Sequence, residues 1–151
     1  MRRHPCLIAL SHDHHHGLLL AQLLKKDAPP YKTLPQTTEG KIEYALNAWT
    51  HELEKHFINE EEILFPFIKG RDDILDELIV KIISEHRTLE NLFVNIENAD
   101  NKIEHLDKIG LALESHIRLE ERELFRKIQE VFSSDELDVL EGKIEPVKPK
   151  E

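Results

Sequence analysis

Apolar residues recur at alternating steps of three and four along four long stretches of this chain, and charged or titratable residues stand inside those apolar stripes. The spacing is that of one face of an α-helix. The second stretch reads Ile42, Leu46, Trp49, Leu53, His56, Glu60, Ile63 and Phe67. The third reads Leu75, Ile79, Ile82, His86, Leu89, Phe93 and Ile96, and the fourth Leu106, Ile109, Leu113, His116, Glu120 and Leu124. No stretch alternates like a strand for more than a few residues, so the expected fold class is all-α.

Punctuation sets the boundaries. The first segment runs from about His4 to Lys26 and stops at Asp27-Ala28-Pro29-Pro30. The second opens at Thr37 or Thr38, with acidic Glu39 in its first turn, and runs to Lys69 before Gly70; Pro66 is expected to kink its last turn. The third runs from Ile74 to about Asn98. The fourth follows the Ala99-Asp100-Asn101 turn and ends near Phe132, and a short fifth helix begins at Ser133-Ser134-Asp135-Glu136 and ends near Gly142. Four amphipathic helices with mostly short connections imply an up-down-up-down antiparallel four-helix bundle with a short C-terminal helix. The expected organisation is a bundle over residues 1–132, with residues 133–151 a short helix and frayed tail packed on the same domain.

Composition narrows the function classes. The chain has 151 residues, with 30 Asp and Glu against 20 Lys and Arg and a formal charge of −10. That balance argues against nucleic acid or an anionic membrane surface as partner, since both require a basic patch. One cysteine, Cys6, excludes a disulfide framework and a thiolate-only zinc site. No apolar run approaches the ~20 residues that span a bilayer, so the expected location is cytoplasmic. Histidine is abundant, with 10 residues.

Stripe positions face the bundle axis, so His56, Glu60, His86, His116 and Glu120 point into the core. Burying that many ionisable groups without partners is costly, and the cluster needs a compensating ion. His56-x-x-x-Glu60 and His116-x-x-x-Glu120 each set an imidazole and a carboxylate one turn apart on one face, the spacing of a metal-binding pair. These segments also repeat: residues 56–68 aligned on 116–128 match at six of 13 positions. In the other two helices Leu10-x-x-Asp13-His14 parallels Ile82-x-x-Glu85-His86. The first segment offers His12, His14, His15 and His16. At about 100° per residue its apolar face points roughly 20° from His14, with His15 about 100° further round and His12 and His16 nearly opposite. His14 is therefore the expected ligand and His15 the alternative. Counted from the turns, the residues of the other three helices fall within a turn of one layer, whereas His14 needs about 9 Å of overhang in the second helix or its loop. Imidazole and carboxylate without thiolate suit iron, manganese or zinc.

The order His14, His56-x-x-x-Glu60, His86, His116-x-x-x-Glu120, with H-x-x-x-E-E-x-x-L-F-P in the second helix, resembles the hemerythrin-like (HHE cation-binding) family over about residues 4–130. The resemblance implies two iron ions in a non-haem di-iron centre within a four-helix bundle, one histidine from each helix, and Glu60 and Glu120 bridging. It implies a protein that binds oxygen, nitric oxide or iron. The alternative is a di-iron enzyme that reduces oxygen, peroxide or nitric oxide, or acts in iron-sulfur cluster repair. The chain departs from the oxygen carriers, which have a second histidine where Glu90 stands and an Asp at the fifth position after the fourth-helix histidine. Glu61 and Glu121 are candidates to orient the ligand imidazoles, although their default place is a solvated acidic face with Glu62 and Glu123. Glu90 is either a distant charge or an extra ligand. His4, His51 and His105 are read as structural or solvated, His12, His15 and His16 as surface residues, and Cys6 as a small buried residue.

Overall fold

The computed structural model describes residues 2–147, and among these it contains helices and no strand. Helix α1 is Pro5–Leu24, with proline in its first turn and the His4 ring accepting from the Cys6 amide at 3.0 Å. Helix α2 occupies residues 38–68, capped by Thr37, whose hydroxyl accepts from the Gly40 amide. Helix α3, Asp73–Val94, is capped by Asp72 and followed by a 3-10 turn at Ile96–Asn98. Helix α4 occupies residues 102–131, capped by Asn101. The short α5, Ser134–Asp138, starts in a capping box between Ser133 and Glu136. The helical bundle is thus as the periodicity predicts.

Two long helices are not regular. Helix α2 carries π turns at Trp49–Leu53 and Glu60–Leu64, and α4 carries one at Glu120–Leu124. A π turn inserts an extra residue and moves every later side chain round the axis. The core positions after Glu60 are accordingly Leu64, Phe65 and Ile68, all buried, and not the Ile63 and Phe67 of the uninterrupted stripe, which are only partly buried. The same shift on α4 buries Leu124, Phe125 and Ile128. Pro66 sits just inside the turn that follows the first of these, where its missing N–H costs little. It does not cause the irregularity, because α4 has the same π turn with Arg126 in the matching place.

The apolar core is divided in two. One cluster gathers Leu7, Leu10, Phe65, Ile68, Leu75, Ile79, Ile82, Phe125 and Ile128 with Leu137 of α5. The other gathers Leu20, Leu24, Trp49, Leu53, Phe57, Phe93, Ile109 and Leu113. The inward histidines and glutamates lie in sequence between the two sets on every long helix, so they form a polar layer with apolar packing on both sides. Helices α1 and α4 approach closely enough that a Cβ on Gly110 would stand 2.6 Å from the Ala21 carbonyl oxygen.

In the C-terminal stretch Ile144 is buried, and the Val147 amide donates to Asp13 Oδ1 of α1 at 2.9 Å. Residues 148–151 of the expected frayed tail lie outside the described residues. No helix among the described residues is long and apolar enough to cross a membrane.

Candidate metal centre

Six residues meet in the polar layer: His14 from α1, His56 and Glu60 from α2, His86 from α3, and His116 and Glu120 from α4. None is more than 3% exposed. Helical direction selects His14, which is buried, over its neighbour His15, which is exposed. The donor atoms fall into two overlapping sets, Glu60 with His86, His116 and Glu120, and His14 with His56 and Glu120, each within 4.8 Å of one another. Glu120 belongs to both. Its oxygens lie 2.6 Å from His116 Nε2, 3.6 Å from His14 Nε2 and 3.9 Å from His86 Nε2, while Glu60 Oε1 is 3.2 Å from His86 Nε2 and 3.5 Å from His56 Nε2.

The aim of the imidazoles is set from outside. Each Nδ1 meets a carboxylate of the neighbouring helix: His56 meets Asp13 of α1 at 2.9 Å, His86 meets Glu61 of α2 at 2.7 Å, His116 meets Glu85 of α3 at 2.8 Å, and His14 meets Glu121 of α4 at 3.1 Å. The four contacts run around the bundle in one sense, α1 to α2 to α3 to α4 and back. With Nδ1–H donating outward, each ring in its neutral form turns its Nε2 lone pair to the centre, the tautomer a metal requires. The carboxylates are themselves held. Glu61 takes a hydrogen bond from Arg87, and Glu121 takes bonds from Arg3 at 2.8 Å and Ser11 at 3.1 Å. Phe57 stacks on His86 at 3.9 Å between ring centres, and Phe125 on His14 at 5.7 Å.

What remains unpaired sets the chemistry available in the layer. Among the described residues, eight buried side-chain atoms have no hydrogen-bond partner: Nε2 of His14, His56, His86 and His116, and both carboxylate oxygens of Glu60 and Glu120. An unmade buried hydrogen bond costs about 1–3 kcal/mol, and more for a charged group. Eight such atoms converging on one layer fit a cation-binding donor set, nitrogen and oxygen without sulfur.

Protonation follows the same geometry. Burial pulls the His14 and His116 imidazoles down, but the Glu120 carboxylate and the outer glutamates outweigh it and push both up to about 9. Burial and the neighbouring Glu120 hold the Glu60 carboxyl well above its usual range. Burial works the same way on Glu120, but the adjacent His116, with Glu60 and His14 beside it, overcomes that and keeps this carboxyl well below that range. Burial lowers His56 despite its bond to Asp13. The layer therefore partly compensates itself, with protonated His14 and His116 beside anionic Glu120.

Several readings from sequence change here. Glu61 and Glu121 both orient imidazoles, and Asp13 and Glu85 do so as well; the clue to the latter pair was the matching Asp13-His14 and Glu85-His86. Glu90 is not among the grouped donors of the layer: its side chain is 44% exposed and pairs with Arg87 at 3.6 Å. His12 and His15 are exposed, but His16 is half-buried, with Nδ1 bonded to Glu52 and Nε2 2.9 Å from the Tyr44 hydroxyl. His4 is buried and bonds Asp138 of α5 at 2.9 Å. Cys6 is buried, its thiol pushed up to about 11 by burial.

Beside the layer lies a cavity of about 430 Å³ that reaches His14, His56 and His116. A family model described as the hemerythrin HHE cation-binding domain matches residues 7–128. No curated protein and no solved structure matches the chain.

Proposed function

The chain belongs to the hemerythrin HHE cation-binding domain family, and from that premise we propose that it is a cytoplasmic di-iron protein that binds a small ligand, oxygen or nitric oxide, or iron itself. His14 and His56 would hold one ion and His86 and His116 the other, with Glu60 and Glu120 between them; manganese or zinc suits the same donors. The observation that carries this reading is the set of eight orphaned buried atoms, all on these six side chains. Two bound ferrous ions supply open coordination positions and one electron each. The protein's own part is to fix the imidazoles through the four outer carboxylates and to exclude bulk water with Phe57, Phe125 and the flanking apolar clusters.

A turnover reading has one observation in its favour. Tyr44 and His16 line the cavity that leads to the layer, and so place protonatable groups on the approach to it. Peroxide consumption by the diferrous protein, against stable reversible ligand binding, separates the two.

The assignment of α1 is tested by substitution. His14→Ala is expected to lower metal content, whereas His16→Ala leaves it unchanged, because the two side chains project about 200° apart on one helix. Metal quantification on protein loaded anaerobically with ferrous ion checks this. Equal losses would remove His14 from the ligand set.

A further inference from the structure

The helices relate to one another by an internal two-fold, with α1 and α2 matching α3 and α4. Asp13-His14 corresponds to Glu85-His86 and His56-x-x-x-Glu60-Glu61 to His116-x-x-x-Glu120-Glu121, and the ring of outer carboxylates repeats with the same relation. The cavity breaks this symmetry. One helical turn past His14 stands Gly17, which lines the cavity, and one turn past His86 stands Leu89, which is 1% exposed and fills its half of the core. Glycine at this position leaves room for the Ile117 side chain, whose Cδ1 a Cβ there would approach to 2.8 Å, in the wall beside His14 and His56.

That space exceeds what a diatomic molecule requires. A ligand the size of one water occupies roughly 30 Å³, whereas this cavity holds about 430 Å³, within the range of about 300–1,000 Å³ over which proteins bind small organic molecules. Its buried walls are apolar along Leu20, Ala48, Leu53, Phe57, Leu113 and Ile117, and its inner end is polar, where His14, His56 and His116 line it. Its rim is polar and half-buried. There Glu52 holds His16, and His16 holds the Tyr44 hydroxyl at 2.9 Å. Whichever way that last hydrogen bond runs, the phenol retains either its hydrogen or a lone pair for another partner.

We propose that this cavity is a binding site for a small hydroxyl-bearing organic molecule, with its hydroxyl on Tyr44 at the rim and an apolar body of about six to eight carbons along Leu20, Phe57 and Leu113. The apolar end points to the imidazole layer, so occupancy closes the approach to His14 and His56. The site is built by packing and does not depend on a metal being bound.

The test is titration calorimetry of the full chain with 1-hexanol and with 4-methylphenol, on metal-loaded and on chelator-treated protein. Trp49, the only tryptophan of the chain and next to Ala48 and Phe57, reports hexanol binding through its emission. Saturable binding to both forms is expected. Ala48→Leu, which fills the cavity, should weaken it at least about tenfold, and Tyr44→Phe by about three- to tenfold, as loss of one hydrogen bond implies. If Ala48→Leu lacks the native helical circular dichroism, Ala48→Val replaces it, a smaller addition at the same wall. Absence of saturable binding of both probes up to about 5 mM, equal affinity in a folded cavity-filling variant, or binding confined to the metal-loaded form would each overturn the proposal. Failure of metal loading alone would leave it standing.

Discussion

Replacing Glu120 by glutamine will remove metal from both halves of the centre, the largest single effect expected of any substitution in this chain. Glu120 is the one residue common to the two donor sets, with oxygens 2.6 Å from His116 Nε2 and 3.6 Å from His14 Nε2. Glutamine keeps the volume and removes the charge, so the core packing survives while both ions lose a negative ligand. The same substitution at Glu121 acts only through His14 and should weaken binding by about 10- to 100-fold without changing the number of ions bound at saturation. Metal content after desalting, measured on both variants beside the parent, gives the comparison. A Glu120→Gln protein that retains one tightly bound ion would show that the halves are independent and that Glu120 is not shared.

The second large effect is on stability as a function of pH. A cluster of inward imidazoles and carboxylates, read from sequence alone, has no balancing cation without metal, and so predicts a difference between metal-loaded and metal-free protein that closes below about pH 6. The structure moves that window upward. His14 and His116 reach about 9 in the metal-free layer, held there against burial by Glu120 and the outer glutamates. A histidine whose pKa is raised on folding, from 6.5 to about 9, contributes stability that is fully present below 6.5 and lost as pH rises through 9. The metal-free protein should therefore lose melting temperature between those values. Over the same range the metal-loaded protein gains, because protons no longer compete for Nε2 and a ligand bound only to the folded state stabilises it by its occupancy. The gap between the two melting curves is expected to widen steadily from pH 6.5 to 9. Metal uptake at neutral pH should also release protons from His14 and His116. A gap that is constant over this range would mean that the imidazoles are already neutral in the metal-free protein.

The parts of this site that were legible in the sequence are those in which residue chemistry contradicts its position. His56, Glu60, His86, His116 and Glu120 interrupt apolar stripes, and such an interruption is costly unless something binds there. His14 was legible for a different reason, as the one member of a histidine run that points with the leucines. The outer carboxylates were harder, because periodicity tells which face a residue takes but not which neighbouring helix it reaches. Asp13 and Glu85 each serve a histidine on the next helix, 43 and 31 positions along the chain. The π turns carry no residue-type signal, and they shifted the core of α2 from Ile63 and Phe67 to Leu64, Phe65 and Ile68. The aligned repeat held the information, since it pairs Leu64 with Leu124, whereas counting by threes and fours overrode it. The cavity was invisible because it depends on how the side chains of α1, α2 and α4 pack against one another, which periodicity does not give.

The central proposal is that the layer of six side chains holds two metal ions. Its most direct test is the metal content of the purified chain, reconstituted anaerobically with ferrous ion, freed of excess, and quantified per chain beside the His56→Ala, His116→Ala double variant. Two ions per chain in the parent and loss of at least one in the variant are the expected result. A parent that retains no metal, and melts at the same temperature with and without chelator at pH 7.5, would contradict it and show a buried polar layer satisfied by its own protons.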